Sequence, residues 1–121
     1  MNNPIQWVEI AATDLERAKD FYAKVFNLNL VLVDMPGSKM YMFGEPDKLG
    51  SSGCIVQSEG NNPSSDGTII YFACEDVAVE AAKVESEGGK LMVPKTDIGE
   101  FGFFAQFIDT EGNRIGMHSQ K

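Results

Sequence analysis

One histidine, one tryptophan and two cysteines are all that 121 residues carry of those types, and ten lysines and arginines stand against eighteen aspartates and glutamates. Each scarcity excludes something. A net charge of −8 with scattered basic residues argues against nucleic acid, because gripping a polyanion takes clustered Lys and Arg. No apolar run nears the roughly 18 residues of a membrane helix, so no membrane span is expected. The first seven residues, MNNPIQW, lack the basic and apolar regions of a secretory signal. Cys54 and Cys74 lie outside any C-x-x-C motif and read as small buried apolar residues in a reducing compartment. The expectation is a cytoplasmic protein of one domain, 1–121, large enough to bury a core without staples.

What is there begins with a strand, a cap and an amphipathic helix. Ile5 to Ala11 alternates loosely, with Ile5, Trp7 and Glu9 on one face and Gln6, Val8 and Ile10 on the other. Glu9 beside Trp7 is unusual for a plain core face. Thr13 and Glu16 form T-x-x-E, the pattern of a capping box, and Asp14 and Glu16 put negative charge at the positive end of the helix. Ala18, Phe21, Tyr22, Val25 and Phe26 then recur at helical spacing, and Asn27 is suited to a left-handed stop. A strand over Leu28–Asp34, a turn at Pro36-Gly37-Ser38 and a returning strand over Lys39–Phe43 make a hairpin. A loop over Gly44–Ser52 leads to a brief strand, Gly53–Gln57. SEGNNPSSDG, Ser58 to Gly67, has no apolar residue and reads as a linker.

The second half repeats the order. Thr68–Cys74 reads as a strand, followed by a helix from Val77 to about Glu87 that Asp76 caps and Gly88-Gly89 stops. A strand at Lys90–Val93, a loop at Pro94–Gly99, an aromatic strand at Phe101–Ile108, a tight turn at Asp109–Asn113 and a last strand at Arg114–Ser119 complete it. Phe101, Phe103 and Phe104 read as core or dimer-interface residues. Each half is strand, helix, strand, strand, strand, an α+β pattern. Asp14 and Asp76, the helix starts, stand 62 residues apart, and the same offset sets Trp7 opposite Ile69 and Asn27 opposite Gly89. Module one is expected at about 4–58, a linker at 59–67 and module two at 68–120, packed so that neither leaves its sheet bare.

A doubled βαβββ unit whose first helix opens D-L-E-R-A-K-D-F-Y resembles the vicinal oxygen chelate superfamily of glyoxalases, bleomycin resistance proteins and extradiol dioxygenases. The stretches VEIAATDLERAKDFYAKVF, EDVAVEAAKVESEGGKL and FIDTEGNRIGMHS carry the likeness. The tail from Pro94 to Ser119 looks especially like a glyoxalase-like branch of bacterial proteins. The resemblance implies two tandem modules forming a cup-shaped eight-stranded mixed sheet, with helices outside, a small-molecule ligand within, and a homodimer. It also implies four His, Gln or Glu metal ligands on inward strand positions. The first falls on Trp7, its counterpart on Ile69, and the last on Gly116. The fourth belongs near Gly53–Gln57, and 50–58 holds no Asp, Glu or His. Such side chains offer a divalent cation no lone pair, so no metal and no other cofactor is expected.

If Trp7 faces inward so does Glu9; if Ile69 does, so does Tyr71; if Gly116 does, so does His118. Trp7, Glu9, Tyr71 and His118 are therefore the candidate ligand-binding residues, with Glu9 and His118 as a candidate acid–base pair. Each also has a plain structural role open to it. Trp7 and Tyr71 suit packing, Glu9 suits a rim ion pair, and His118 suits a solvated chain end. Three readings stand. The first is a metal-independent protein binding a small molecule in an aromatic-lined cup. The second is a lyase or isomerase on a small oxygenated substrate using Glu9 and His118. The third is a closed-cup dimeric interaction module without catalysis.

Overall fold

The computed structural model describes residues 4–44 and 52–121. Its elements run β1 (Trp7–Ala11), α1 (Leu15–Phe26), β2 (Val31–Met35), β3 (Ser38–Phe43), β4 (Ser52–Ser58), β5 (Ile70–Ala73), α2 (Val77–Val84), β6 (Lys90–Asp97), β7 (Phe103–Ile108) and β8 (Arg114–Ser119), with a 3-10 turn at Gly99–Phe101. This is the α+β pattern of strand, helix and three strands, twice over. The strands form two four-stranded mixed sheets, ordered β1-β4-β3-β2 and β5-β8-β7-β6. In each, the first strand lies parallel to the last and the other pairs are antiparallel. The family resemblance implied one eight-stranded sheet; the ladders among the described residues define two, with no pairing between them. Most of the expected Gly44–Ser52 loop lies outside the described residues.

The helix ends follow local chemistry, with one correction. The N-cap of α1 is Asp14, whose Oδ1 accepts the Arg17 amide at 3.1 Å, and not Thr13 as the T-x-x-E pattern suggested. Thr13 and Asp14 give their own amides to Glu111 Oε1 instead, at 2.9 and 2.7 Å. Glu16 is drawn to the Tyr41 hydroxyl at 2.6 Å. Long-range partners thus displaced the local box. Asn27 does end the helix in the left-handed region, at φ 54° and ψ 48°, where its short polar side chain costs less than most. Asp76 caps α2 through the Ala78 amide.

A second correction concerns β6. A strand was expected to stop at Val93 before Pro94, yet it continues to Asp97. It is an edge strand and its register with β7 shifts at Leu91/Val93 and Val93/Thr96. A proline that cannot donate is tolerated at just such an irregular edge.

One apolar core serves both halves. Phe21, Tyr22 and Val25 of α1 are fully buried with Ile10 and Ile55 from the first sheet and Phe107, Ile115 and Met117 from the second. The α1 aromatics reach across: Phe21 lies 5.6 Å from Phe107, and Phe26 stacks on Phe72 at 4.4 Å. Gly89 permits this approach, since a Cβ there would sit 2.8 Å from the Phe21 ring. Aromatic burial of this kind stabilises by roughly 1.5–3 kcal/mol per ring.

Polar bonds fix how the halves meet. Asp109, 4% exposed, accepts from the Tyr22 hydroxyl at 2.6 Å, the Asn113 Nδ2 at 3.0 Å, and the Glu111 and Asn113 amides at 2.9 Å. Asn113 Nδ2 also donates to the Ala11 carbonyl at 2.8 Å. Glu111, its side chain fully covered, takes Arg17 Nε at 2.7 Å as well as the two amides at the start of α1. The β7–β8 turn is thereby bolted to the β1–α1 junction.

Two predictions follow from that turn. Tyr22→Phe removes a donor from a buried carboxylate, so it lowers unfolding stability by about 1–3 kcal/mol in urea titration; an unchanged midpoint contradicts the bond. Burial pulls the Glu111 carboxyl up, but the hydrogen bonds from Arg17, the Asp14 amide and Thr110 outweigh it and hold it below its ordinary value. A depressed carboxyl stabilises the fold above its unfolded pKa, about 4.3, and loses that contribution as pH falls through the folded value. Glu111→Gln is therefore less stable than the parent at pH 7, and the gap closes in strong acid; a gap independent of pH contradicts it.

Candidate functional site

Alternation along the strands assigns the faces. Ile10, Ile55, Phe107, Ile115 and Met117 point to the helices, so their strand neighbours point the other way, onto what we call the open face of each sheet, exposed at Trp7, Glu9 and Tyr71 although Cys54 and Val56 are buried on it. On the first sheet this face carries Trp7 and Glu9 of β1, with Glu9 in register with Cys54 of β4. Trp7 Nε1 donates to Glu9 Oε2 at 3.2 Å, a bond between residues two apart that only a strand brings to one side. Trp7 is 37% exposed, and Glu9 is exposed too. The Cys54 thiol is pushed up to about 11, first by burial and then by the Glu9 charge, so it stays protonated at neutral pH. Cys74 is likewise pushed up to about 12, by burial and then by Glu80.

On the second sheet the open face carries Tyr71, Gly116, Gln106 and His118. Tyr71 of β5 and Gln106 of β7 both stand in register with Gly116 of β8 between them. The Tyr71 ring lies directly on that glycine: a Cβ at 116 would overlap Cδ2 and Cε2 of the ring. Gln106 Nε2 donates to the Tyr71 hydroxyl at 2.6 Å. One pair further on, His118 faces Ala73 and Phe104, and its Nε2 donates to the Phe101 carbonyl at 2.5 Å. A carbonyl oxygen can only accept, so the bond places a proton on Nε2.

The structure therefore brings the candidates together in two groups, Trp7 with Glu9 and Tyr71 with Gly116. Glu9 and His118 lie on different sheets, and no hydrogen bond or ion pair joins them among the described residues. Gln106 had escaped the sequence reading. Its signal was there, as the one polar side chain in the strand FFAQFI. Glu9 also edges a cleft of about 320 Å³ where β1 meets the linker and β8, shared with Asn62, Ser64, Asp66 and Arg114. A larger recess of about 820 Å³ lies elsewhere, between the start of α1 and the β2–β3 hairpin; Asp14, Glu16, Asp34 and Lys39 line it.

The residues do not fit the metal that the fold family uses. Trp7 and Ile69 bring no ligating atom, and the place of a side chain at 116 is taken by the Tyr71 ring. Among the described residues no three of His, Cys, Asp and Glu cluster as a cation site.

Two βαβββ halves around one core, each sheet with an open face, define a glyoxalase-type fold. A family model matches residues 4–117, and the chain belongs to the Glyoxalase/Bleomycin resistance protein/Dioxygenase superfamily. A glyoxylase-like domain-containing protein from Didymella fabae is 31% identical over 117 residues, which cover 93% of this chain and 91% of that protein. Among solved structures, a glyoxalase I variant from Zea mays superposes with a TM-score of 0.77 at 22% identity, covering 98% of this chain and 47% of the other. TnmS3, an antibiotic binding protein from Streptomyces sp. CB03234, superposes at 0.72 with 23% identity, covering 100% and 99%. These two likenesses show the fold.

The contact at Gly116 can be tested alone. Gly116→Ala pushes the ring away and costs about 1–3 kcal/mol of stability as overpacking does, whereas the same change in a Tyr71→Ala background costs little. Equal costs in both backgrounds, measured by urea unfolding, contradict the contact.

Proposed function

We propose that this protein binds a planar aromatic small molecule between the open faces of its two sheets, touching Trp7 of the first and Tyr71 of the second, and does so without a metal ion. The observation that carries the reading is Tyr71 seated on Gly116, where a metal-using relative has a ligating carboxylate. An aromatic surface stands there in place of a charge, and the exposed Trp7 provides a second one. Apolar rings with a few placed polar groups are the usual make-up of a small-molecule site. The structural likeness to an antibiotic binding protein of equal length supports the same direction. A homodimer belongs to this reading: the edge strand β2 leaves Val31, Leu32 and Met35 about half exposed, an apolar edge that a second copy would cover. A cytoplasmic location belongs to the same proposal, since Cys54 and Cys74 are free thiols, as a reducing compartment keeps them.

The lyase reading needs Glu9 and His118 to share a substrate. Their present partners, the Trp7 indole and the Phe101 carbonyl, are structural, so binding without catalysis is preferred. The test is a thermal-shift screen of planar aromatic compounds, run with a chelator present. Binders raise the midpoint by several degrees at concentrations well above Kd. Silence across the collection, or shifts that vanish with the chelator, would refute the proposal.

A further inference from the structure

Tyr71 and Gln106 do more than supply an aromatic wall. The amide Nε2 of Gln106 gives its hydrogen to the phenol oxygen at 2.6 Å. The phenol's own proton then has no protein acceptor among the described residues. A hydroxyl that accepts one bond is a better donor of its remaining one, because successive hydrogen bonds polarise each other. The ring cannot swing back toward β8, since Gly116 already lies against it, nor does a side chain at 116 compete for the position. Tyr71 is 46% exposed, so the group is accessible from the open face.

We infer that Tyr71, positioned by Gln106, is a directed hydrogen-bond donor that selects planar aromatic ligands bearing a carbonyl or oxyanion acceptor, such as quinones, over hydrocarbons of the same shape. This rests on the binding reading above and sharpens it to a ligand class. Gln106 acts as a positioning residue. It touches no ligand itself and decides which partner gets the phenol's proton.

The experiment measures affinity by isothermal calorimetry for anthraquinone-2-sulfonate and anthracene-2-sulfonate. The two probes share shape and charge and differ in the ring carbonyls, so the ratio of their affinities isolates the acceptor. The parent protein is expected to prefer the quinone by about 3- to 10-fold, the worth of one neutral hydrogen bond. Tyr71→Phe keeps the ring on Gly116 and removes only the hydroxyl, so the preference falls to unity. Gln106→Glu offers an acceptor where the amide was a donor, captures the phenol's proton and also abolishes the preference. Equal affinities in the parent, or a preference that survives Tyr71→Phe, overturns the donor assignment alone. A preference that survives Gln106→Glu overturns the positioning role. Failure of both probes to bind overturns the aromatic-site reading and this inference with it.

Discussion

A single buried carboxylate organises the meeting of the two halves. Asp109 has no solvent to satisfy it, and a buried charge persists only where its hydrogen-bonding capacity is filled. Its partners come from three directions: the Tyr22 hydroxyl on α1, two amides of its own turn, and the Asn113 side chain. Asn113 in turn holds the Ala11 carbonyl at the end of β1, and Glu111 holds the amides that open α1. Satisfying Asp109 therefore fixes the β7–β8 turn on the β1–α1 junction. The aromatic contacts of Phe21, Tyr22 and Phe26 with Phe107 and Phe72 supply the burial that this geometry permits.

With the helices claimed by one shared core, the outward residues of each strand are left to form the open faces. What lies there follows from register. Because β5 and β8 pair Tyr71 with Gly116, and β7 and β8 pair Gln106 with the same glycine, three residues distant in sequence form one unit. The bare glycine at 116 and the ring above it belong together: the ring can lie there only because residue 116 has no side chain.

Much of the fold was legible in the sequence, because its signals are local. The helical spacing of Ala18, Phe21, Tyr22 and Val25, the stop at Asn27, the cap at Asp76 and the final hairpin around Asp109–Asn113 all appear where the pattern put them. The misreadings came from distant partners. The box at Thr13 did not form because Asp14 caps the helix in its place and Glu111, from the other half, takes the Thr13 amide that Glu16 would have accepted. The strand at β6 outran Pro94 because an irregular edge does not need the missing N–H. On β1, alternation along the strand sets Trp7 and Glu9 on one side, where they bond. Gln106 was missed because its importance lies in cross-strand register, which spacing within one strand does not reveal.

The central claim is that the open faces of the two sheets take an aromatic ligand with no metal involved. The chain's only tryptophan, Trp7, sits on the open face of the first sheet with its indole N–H bonded to Glu9, and the proposed ligand touches it as well as Tyr71, so a single NMR resonance reports on binding. The decisive measurement is the indole N–H signal in the presence of EDTA during titration with anthraquinone-2-sulfonate. A saturable shift of that signal is the result predicted here. A signal that stays put, or moves only after a divalent cation is added, would contradict it.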